Sequence, residues 1–459
     1  MKIQWFCFQM EARSLFNQQA LEGLSPQEKR SCTVWNGKKS RFRFSFEAMS
    51  ETSEGAFSES AQEHSNPPSY SVPTLELKGE KTLNAHPWIF RRMFKFFPSG
   101  LSDGDEVAVQ ASDGEPVGRG FYHGRSQIAV RIMTPDAECQ LDDDFLRKKL
   151  EVARDLRLEI LRLDKVTDSW RVVHGEGDGL GGLVIDKFND LLVVQPYSYA
   201  FYRRRAELGA ILEEMFPGSR QVLKPPSVAA QREGVPEYQP PGAGEEQEVE
   251  ITEGKVRLLV SPSGHKTGFF LDQRENRARL ATMVRGKKVL DGCCYTGAMA
   301  IAARTLGKAG RVVGVDLDEE ALAMARRNEK LNRASIEWVH EDIFHYLKRQ
   351  RHAVEPFEVI IIDPPKWARE RDRFEEAERR YLDINKLAMQ AIAPGGILLT
   401  CSCSGLVSQE HFLRILQHAA ELSGRDFRIF HHGGASSDHP VSAHCPESRY
   451  LKAVFGRVF

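Results

Sequence analysis

From Val256 onward, short apolar runs alternate with longer stretches in which apolar residues recur every three or four positions. That rhythm predicts strand, helix, strand, helix, and hence a doubly wound parallel sheet. Its strands are expected at Lys288–Asp291, Arg311–Asp316, Ile336–Val339, Val359–Asp363 and Gly396–Cys401. Upstream, strand-like alternation begins near Leu75 and continues to about Pro135 in pieces broken by Gly and Asp, which argues for a small β-barrel. A helical spacing runs from Asp142 to about Leu163. The runs Trp170–Val173, Gly182–Asp186 and Leu191–Val194 then read as strands, and Tyr202–Phe216 as a helix.

The rest of the chain breaks this pattern. Ser50–Ser71 is rich in Ser, Glu, Asn and Pro, and residues 1–73 read as a disordered or over-extended segment with a second possible start at Met49. Pro225–Glu248, rich in Pro, Gly and Glu, reads as a mobile loop. Four parts result: the N-terminal segment 1–73, a β-rich domain 74–137, a small α/β domain 138–254 and a Rossmann-like α/β domain 255–459.

Composition narrows the classes. At 459 residues, with 41% apolar and 28% charged positions, the chain has the make-up of a soluble multi-domain protein. A net charge of -1 gives no global nucleic-acid signal, so any RNA contact must come from local basic patches. Eight cysteines without regular spacing argue against a disulfide framework and for a reducing cytoplasm. Cys293-Cys294 and Cys401/Cys403 are too closely paired for a zinc knuckle, and no metal is expected. No apolar run reaches membrane-spanning length, so no membrane partner is expected.

The chemistry gathers at strand ends. After the first strand comes Asp291-Gly292-Cys293-Cys294-Tyr295-Thr296-Gly297, whose small residues and helix start let an anionic ligand group approach the backbone. It is not Gly-x-Gly-x-x-Gly, which speaks against a nicotinamide oxidoreductase. Asp316 ends the second strand, where a carboxylate can accept from ribose hydroxyls. Asp342 follows the third and is expected at an exocyclic adenine amine. Carboxylates on successive strand ends suit S-adenosylmethionine, with its positive sulfonium and several donors. A strand-end Asp alone more simply caps the next helix. Asp363 closes the fourth strand, and Cys403 follows the fifth. A pyrimidine ring is a poor carbon nucleophile until a thiolate adds beside the target carbon. The Asp363–Cys403 pairing therefore implies a pyrimidine-carbon methyltransferase. Cys401, Cys293 and Cys294 read as packing residues.

On these motifs the chain resembles a known family from Leu75 to Phe459. The matching strings are His86-Pro87-Trp88-Ile89-Phe90, Glu176-Gly177-Asp178-Gly179-Leu180, Gly264–Arg274, Asp363-Pro364-Pro365-Lys366, Tyr381–Asn385 and Ser402-Cys403-Ser404-Gly405. They resemble the RlmI-type 23S ribosomal RNA 5-methylcytosine methyltransferases. The resemblance implies a PUA-like RNA-binding domain, a small α/β domain and a class I methyltransferase domain. It also implies Cys403 as nucleophile, Asp363 as its partner, and Lys266 and Gln273 among the cofactor residues. Large-subunit ribosomal RNA is the implied partner, with room for a homodimer.

RNA contacts are expected from His86, Trp88, Arg91 and Arg92, from Tyr202–Arg205, and from Lys366, which could also lower the thiol pKa. Tyr381 and Asn385 suit either the base pocket or helix packing. Two rivals remain. Guanine N7 methylation would need no nucleophilic Cys after the fifth strand, and a non-catalytic ribosome-assembly factor would need neither Asp363 nor Cys403.

Overall fold

The structure is a computed structural model describing residues 72–80, 85–224, 226–238, 248–262, 264, 266–368 and 373–459. The expectations for residues 1–71, for the middle of the Pro-rich loop (239–247), for His265 and for 369–372 lie outside the described residues.

Strands β1 (Thr74–Glu76), β2 (Trp88–Phe90), β3 (Glu106–Gln110), β4 (Pro116–Tyr122) and β5 (Ile128–Thr134) form one sheet in the order β1-β3-β4-β5-β2. A bridge between Leu77 and Phe94 joins the two edges, so the sheet curls as the barrel reading expected. Leu75, Ile89, Val107, Val109 and Val130 fill its interior.

Helix α1 (Asp143–Asp155) starts at Asp142, whose side chain accepts from the Phe145 N–H. Its buried face, Phe145, Leu146, Leu150 and Ala153, shares a core with the next sheet. That sheet holds β6 (Ser169–His174), β7 (Leu183–Phe188), β8 (Leu191–Pro196) and β9 (Arg220–Leu223) in chain order. The expected Tyr202–Phe216 helix begins earlier and is two helices, α2 (Tyr199–Arg203) and α3 (Arg205–Met215). They part at Arg204, which leaves helical geometry while its guanidinium stacks 4.4 Å over the Phe121 ring of the barrel.

The described part of Pro225–Glu248 is not the free loop its composition suggested. It carries α4 (Val228–Arg232), capped by Ser227. Glu233 then accepts from Ser126 Oγ at 2.5 Å and from the Arg131 guanidinium at 2.7 Å. Partners on the barrel order what composition alone leaves loose.

The last part opens with a hairpin, β10 (Val249–Glu253) and β11 (Val256–Val260), and α5 (Arg274–Ala281). Then follow β12 (Lys288–Gly292), α6 (Ala298–Thr305), β13 (Arg311–Asp316), α7 (Glu319–Leu331), β14 (Glu337–His340) and α8 (Ile343–Gln350). The chain ends with β15 (Phe357–Ile362), α9 (Phe374–Ala391), β16 (Ile392–Ser402), α10 (Gln409–Ser423), β17 (Phe427–Gly433) and β18 (Lys452–Val458). The seven strands lie in the order β14-β13-β12-β15-β16-β18-β17. Five are parallel, as the alternation predicted; β18 pairs antiparallel with β16 and β17. The departure has a simple cause. Between β17 and β18 there is one 3-10 turn (Pro446–Ser448) and no α-helix to carry the chain back across the sheet, so β18 enters in the opposite direction. Both faces are covered: Val359 and Ile361 of β15 join one core, Ile360 and Ile362 the other.

Candidate active site

A cavity of about 450 Å³ opens at the carboxyl ends of β12, β13, β15 and β16. Parallel strands end there together, with helix starts behind them, which is where open α/β sheets keep their ligands. The backbone around it is unusual. Lys266, Cys293 and Tyr295 all have positive φ, at 54°, 61° and 50°, conformations that side chains seldom adopt and that gather at functional sites. Next to them Gly297, at φ 80°, leaves no room for a Cβ, which would meet the Trp338 ring at 2.4 Å.

One half of the cavity suits a cofactor. The Asp316 carboxylate accepts from the Tyr295 N–H at 2.7 Å, which ties the β12 turn to the end of β13. Asp291 is buried and accepts from the Ala300 N–H at 2.9 Å. Burial raises its pKa to about 8, and the nearby Asp363 and Asp316 push the same way. Tyr295 and Thr296 line the cavity, with Phe269, Phe270, Met299 and Ile343 as apolar walls. Its lining holds six carboxylates against three basic side chains, an environment matched to a cationic ligand with amine and hydroxyl donors. S-adenosylmethionine fits that description.

Two expected cofactor residues have protein partners of their own. Asp342 caps α8, accepting from Phe344 N–H at 2.8 Å and His345 N–H at 3.1 Å, and its neighbours Glu341 and Ile343 line the cavity instead. The cap follows from position: the carboxylate succeeds β14 at the start of a helix whose first N–H groups lack partners within it. Gln273 does line the cavity, but its amide donates to Asp363 Oδ2 at 2.8 Å, so it orients the carboxylate.

The other half holds Asp363, Cys403 and Lys366. Burial raises Asp363 to about 6; Asp272 adds to the rise and Lys266 opposes it. Burial also pushes the Cys403 thiol up, to about 11, with Asp363 adding to it. Lys266 and Lys366 pull the other way, as the sequence reading of Lys366 expected, but burial and Asp363 outweigh them. Cys401, two positions earlier, is fully buried in the core as the packing reading expected. Tyr381 is fully buried, and its hydroxyl bonds Ser404 Oγ at 2.9 Å, behind the Cys403 turn. Asn385 is buried on α9, donating to the Tyr381 carbonyl.

Several residues of the site were not singled out from sequence. Asp272 is buried and binds Lys266 Nζ at 2.7 Å and Tyr450 OH at 2.5 Å; burial would raise it, but the charges of Lys266 and His439 and those two hydrogen bonds hold it well below the usual carboxylate range. Its signal was position inside the Gly264–Arg274 string. Lys452 is buried at the start of β18, and a lone lysine heading the apolar run Ala453–Phe455 was its signal.

The barrel residues expected at RNA are partly occupied. Trp88 Nε1 donates to Glu176 at 2.8 Å, and His86 Nε2 meets Glu447 at 3.2 Å. Arg91 donates to the His123 and Ser126 carbonyls. Arg92 is exposed. Arg203 pairs with Asp105 at 2.9 Å, and Arg205 lies over the Tyr202 ring. Among the described residues, no helix is long and apolar enough to cross a membrane.

Comparison with known proteins adds to this geometry. Residues 242–424 match the family model of S-adenosylmethionine-dependent methyltransferases, and residues 76–135 that of PUA-like domains. The ribosomal RNA large subunit methyltransferase I of Aeromonas hydrophila is 38% identical over 396 residues, covering 85% of this chain and 99% of that protein. Its Escherichia coli counterpart is 37% identical over 396 residues, covering 84% and 100%. A solved S-adenosylmethionine-dependent methyltransferase from Streptococcus mutans superposes with a TM-score of 0.69 at 20% identity, over 84% of this chain and all of that one. A methyltransferase complexed with SAH does so at 0.70 and 21%. At such identities the likeness carries the fold alone.

Proposed function

We propose that this chain, which belongs to the ribosomal RNA large subunit methyltransferase I family, makes 5-methylcytosine in 23S ribosomal RNA through a covalent adduct on Cys403. It is an S-adenosylmethionine-dependent methyltransferase; the base, the atom and the nucleophile are the proposed part. The observation that carries the reading is a thiol and a raised carboxyl, Cys403 and Asp363, on the wall of the same cavity as the cofactor carboxylates.

Asp291, Asp316, Tyr295 and Thr296 would hold the cofactor, with Lys266 near its carboxylate end. When bound, S-adenosylmethionine supplies an electrophilic methyl group on a sulfonium. The chain's own residues do the rest. Cys403 gives up its proton to solvent and its sulfur adds to C6 of the cytosine, which moves electron density onto C5. Asp363, held by Gln273 and raised to about 6, is protonated in a fraction of molecules near neutral pH, and that form shares its proton with N3 as charge develops on the ring. After C5 is methylated its proton departs to a base, the C5–C6 double bond re-forms and the thiolate leaves. A thiol inside a cavity can reach only a base that has left its stack. The barrel, with Arg92 and Lys366 at the surface, would bind the surrounding RNA.

The test is transfer of labelled methyl to unmodified ribosomal RNA, followed by nucleoside analysis. Wild type is expected to yield 5-methylcytidine, and Cys403→Ala to lose at least about a thousandfold in rate. Appearance of 7-methylguanosine, or full activity in the alanine variant, would remove Cys403 from the chemistry.

A further inference from the structure

Lys452 opens β18, followed by the apolar run Ala453–Phe455, and is 3% exposed. Burying an ammonium is costly unless hydrogen bonds and charge compensate it. Its Nζ donates to the Ser404 carbonyl at 2.6 Å and to the Tyr450 carbonyl at 2.8 Å. Across the ladder its partner is Ser402. Lys452 thus contacts the chain on both sides of Cys403. The same turn is held from α9 by Tyr381 and from the β15 side by the Ala368 N–H, both on Ser404 Oγ.

Carbonyls satisfy the hydrogen bonds of an ammonium but do not neutralise it. Burial, with Lys366 and Arg449 adding to it, lowers Lys452 to about 8. Among the described residues the one charge that favours the ammonium is that of Cys403. Coupling of this kind is reciprocal: a thiolate that stabilises the ammonium is stabilised by it to the same extent. The other charges facing Cys403 divide evenly. Asp363 and Asp272 oppose its ionisation, and Lys266 and Lys366 favour it. Of the cations, Lys266 is committed to Asp272 at 2.7 Å, and Lys366 is exposed, where solvent screens it.

We propose that Lys452 is a positioning residue of the nucleophile: it fixes the Ser402–Ser404 turn, and its ammonium is the counter-charge against which the Cys403 thiolate forms. The thiol proton leaves to solvent, and no bond to Lys452 forms or breaks. This rests on the reading of Cys403 as nucleophile.

The test reads the thiol directly. The full-length protein is alkylated with iodoacetamide across a range of pH, and the Cys403 peptide is followed by mass spectrometry, in wild type, Lys452→Gln and Lys452→Arg. Below about pH 8, where Lys452 carries its charge, the Gln variant is expected to cut Cys403 alkylation and methyl transfer by about tenfold, a loss that closes as pH rises and the ammonium deprotonates. The Arg variant keeps the charge and is expected to alkylate within about threefold of wild type in the same range. An unchanged Cys403 alkylation rate below about pH 8 in Lys452→Gln, with activity lost equally at every pH, would make Lys452 a packing residue and overturn the proposal. If the Gln variant does not fold, an about tenfold slower alkylation in the Arg variant overturns it just as well. Alkylation slowed by Lys366→Gln and not by Lys452→Gln would assign the counter-charge elsewhere. Retained methyl transfer in Cys403→Ala would instead sink the nucleophile reading, whatever the Lys452 variants do.

Discussion

Asp291 and Asp363 are carboxyls that the fold holds partly protonated near neutral pH, at about 8 and about 6. Both are raised from 3.8 chiefly by burial, so the neutral form is the one the folded chain favours. The sign follows. Their contribution to stability is full below the unfolded value and is lost as pH rises through 6 for Asp363 and then through 8 for Asp291. A cationic ligand reverses the local balance by favouring the carboxylates. Binding of S-adenosylmethionine at pH 6 to 8 is therefore expected to release on the order of half a proton or more. Calorimetry in buffers of different ionisation enthalpy measures it. Net uptake would place the ligand's positive charge away from these two carboxyls. The same desolvation explains why Cys403 rests as a thiol. Its reactivity must come from what enters the cavity and from the cations around it.

At the scale of elements, strand-end carboxylates divide into two kinds that look alike in sequence. Asp316 ties the left-handed Tyr295 turn to β13, while Asp342 caps α8. Asp316→Ala is expected to raise KM for S-adenosylmethionine at least about tenfold, since it removes a cavity carboxylate and frees the turn beside it. Asp342→Ala should cost about 1 kcal/mol of stability and leave that KM within about twofold. Thermal unfolding and steady-state kinetics on the two variants check both, and a large KM effect at Asp342 would return it to the cofactor. The parallel core was legible because strands buried on both faces read as short continuous apolar runs, as at Val359–Ile362, whichever partner they find. The site was legible where a motif ends a strand, as at Asp363 and Cys403. Capping was not, because an Asp before a helix has the same sequence whether its carboxylate turns back to the N–H groups or out to a ligand. Nor was β18 as an antiparallel insertion, since pairing direction depends on a crossover that hydropathy does not record.

Across the whole molecule, the barrel uses part of its conspicuous aromatic and basic surface to hold on to the rest of the chain. Trp88 reaches Glu176, a residue 88 positions away, and Arg131 reaches Glu233 at 102 positions. Such partners are invisible to a local reading, which takes His86–Arg92 as one RNA-facing cluster. The structure separates that cluster into residues already bonded and one, Arg92, that is exposed. Glu233→Ala leaves the Arg131 guanidinium, 10% exposed, without its carboxylate, and is expected to destabilise the protein by about 2 kcal/mol. Faster hydrogen exchange should then appear in β2 and β5 while the affinity for S-adenosylmethionine is unchanged. Arg92→Ala is expected to do the reverse, weakening ribosomal RNA binding several-fold and flattening its salt dependence by about one phosphate contact, with stability within about 0.5 kcal/mol of wild type. If Arg92→Ala binds RNA normally at every salt concentration, the exposed face of the barrel is not the RNA surface. The basic side chains around the cavity mouth, Lys366 first, would then have to carry the substrate.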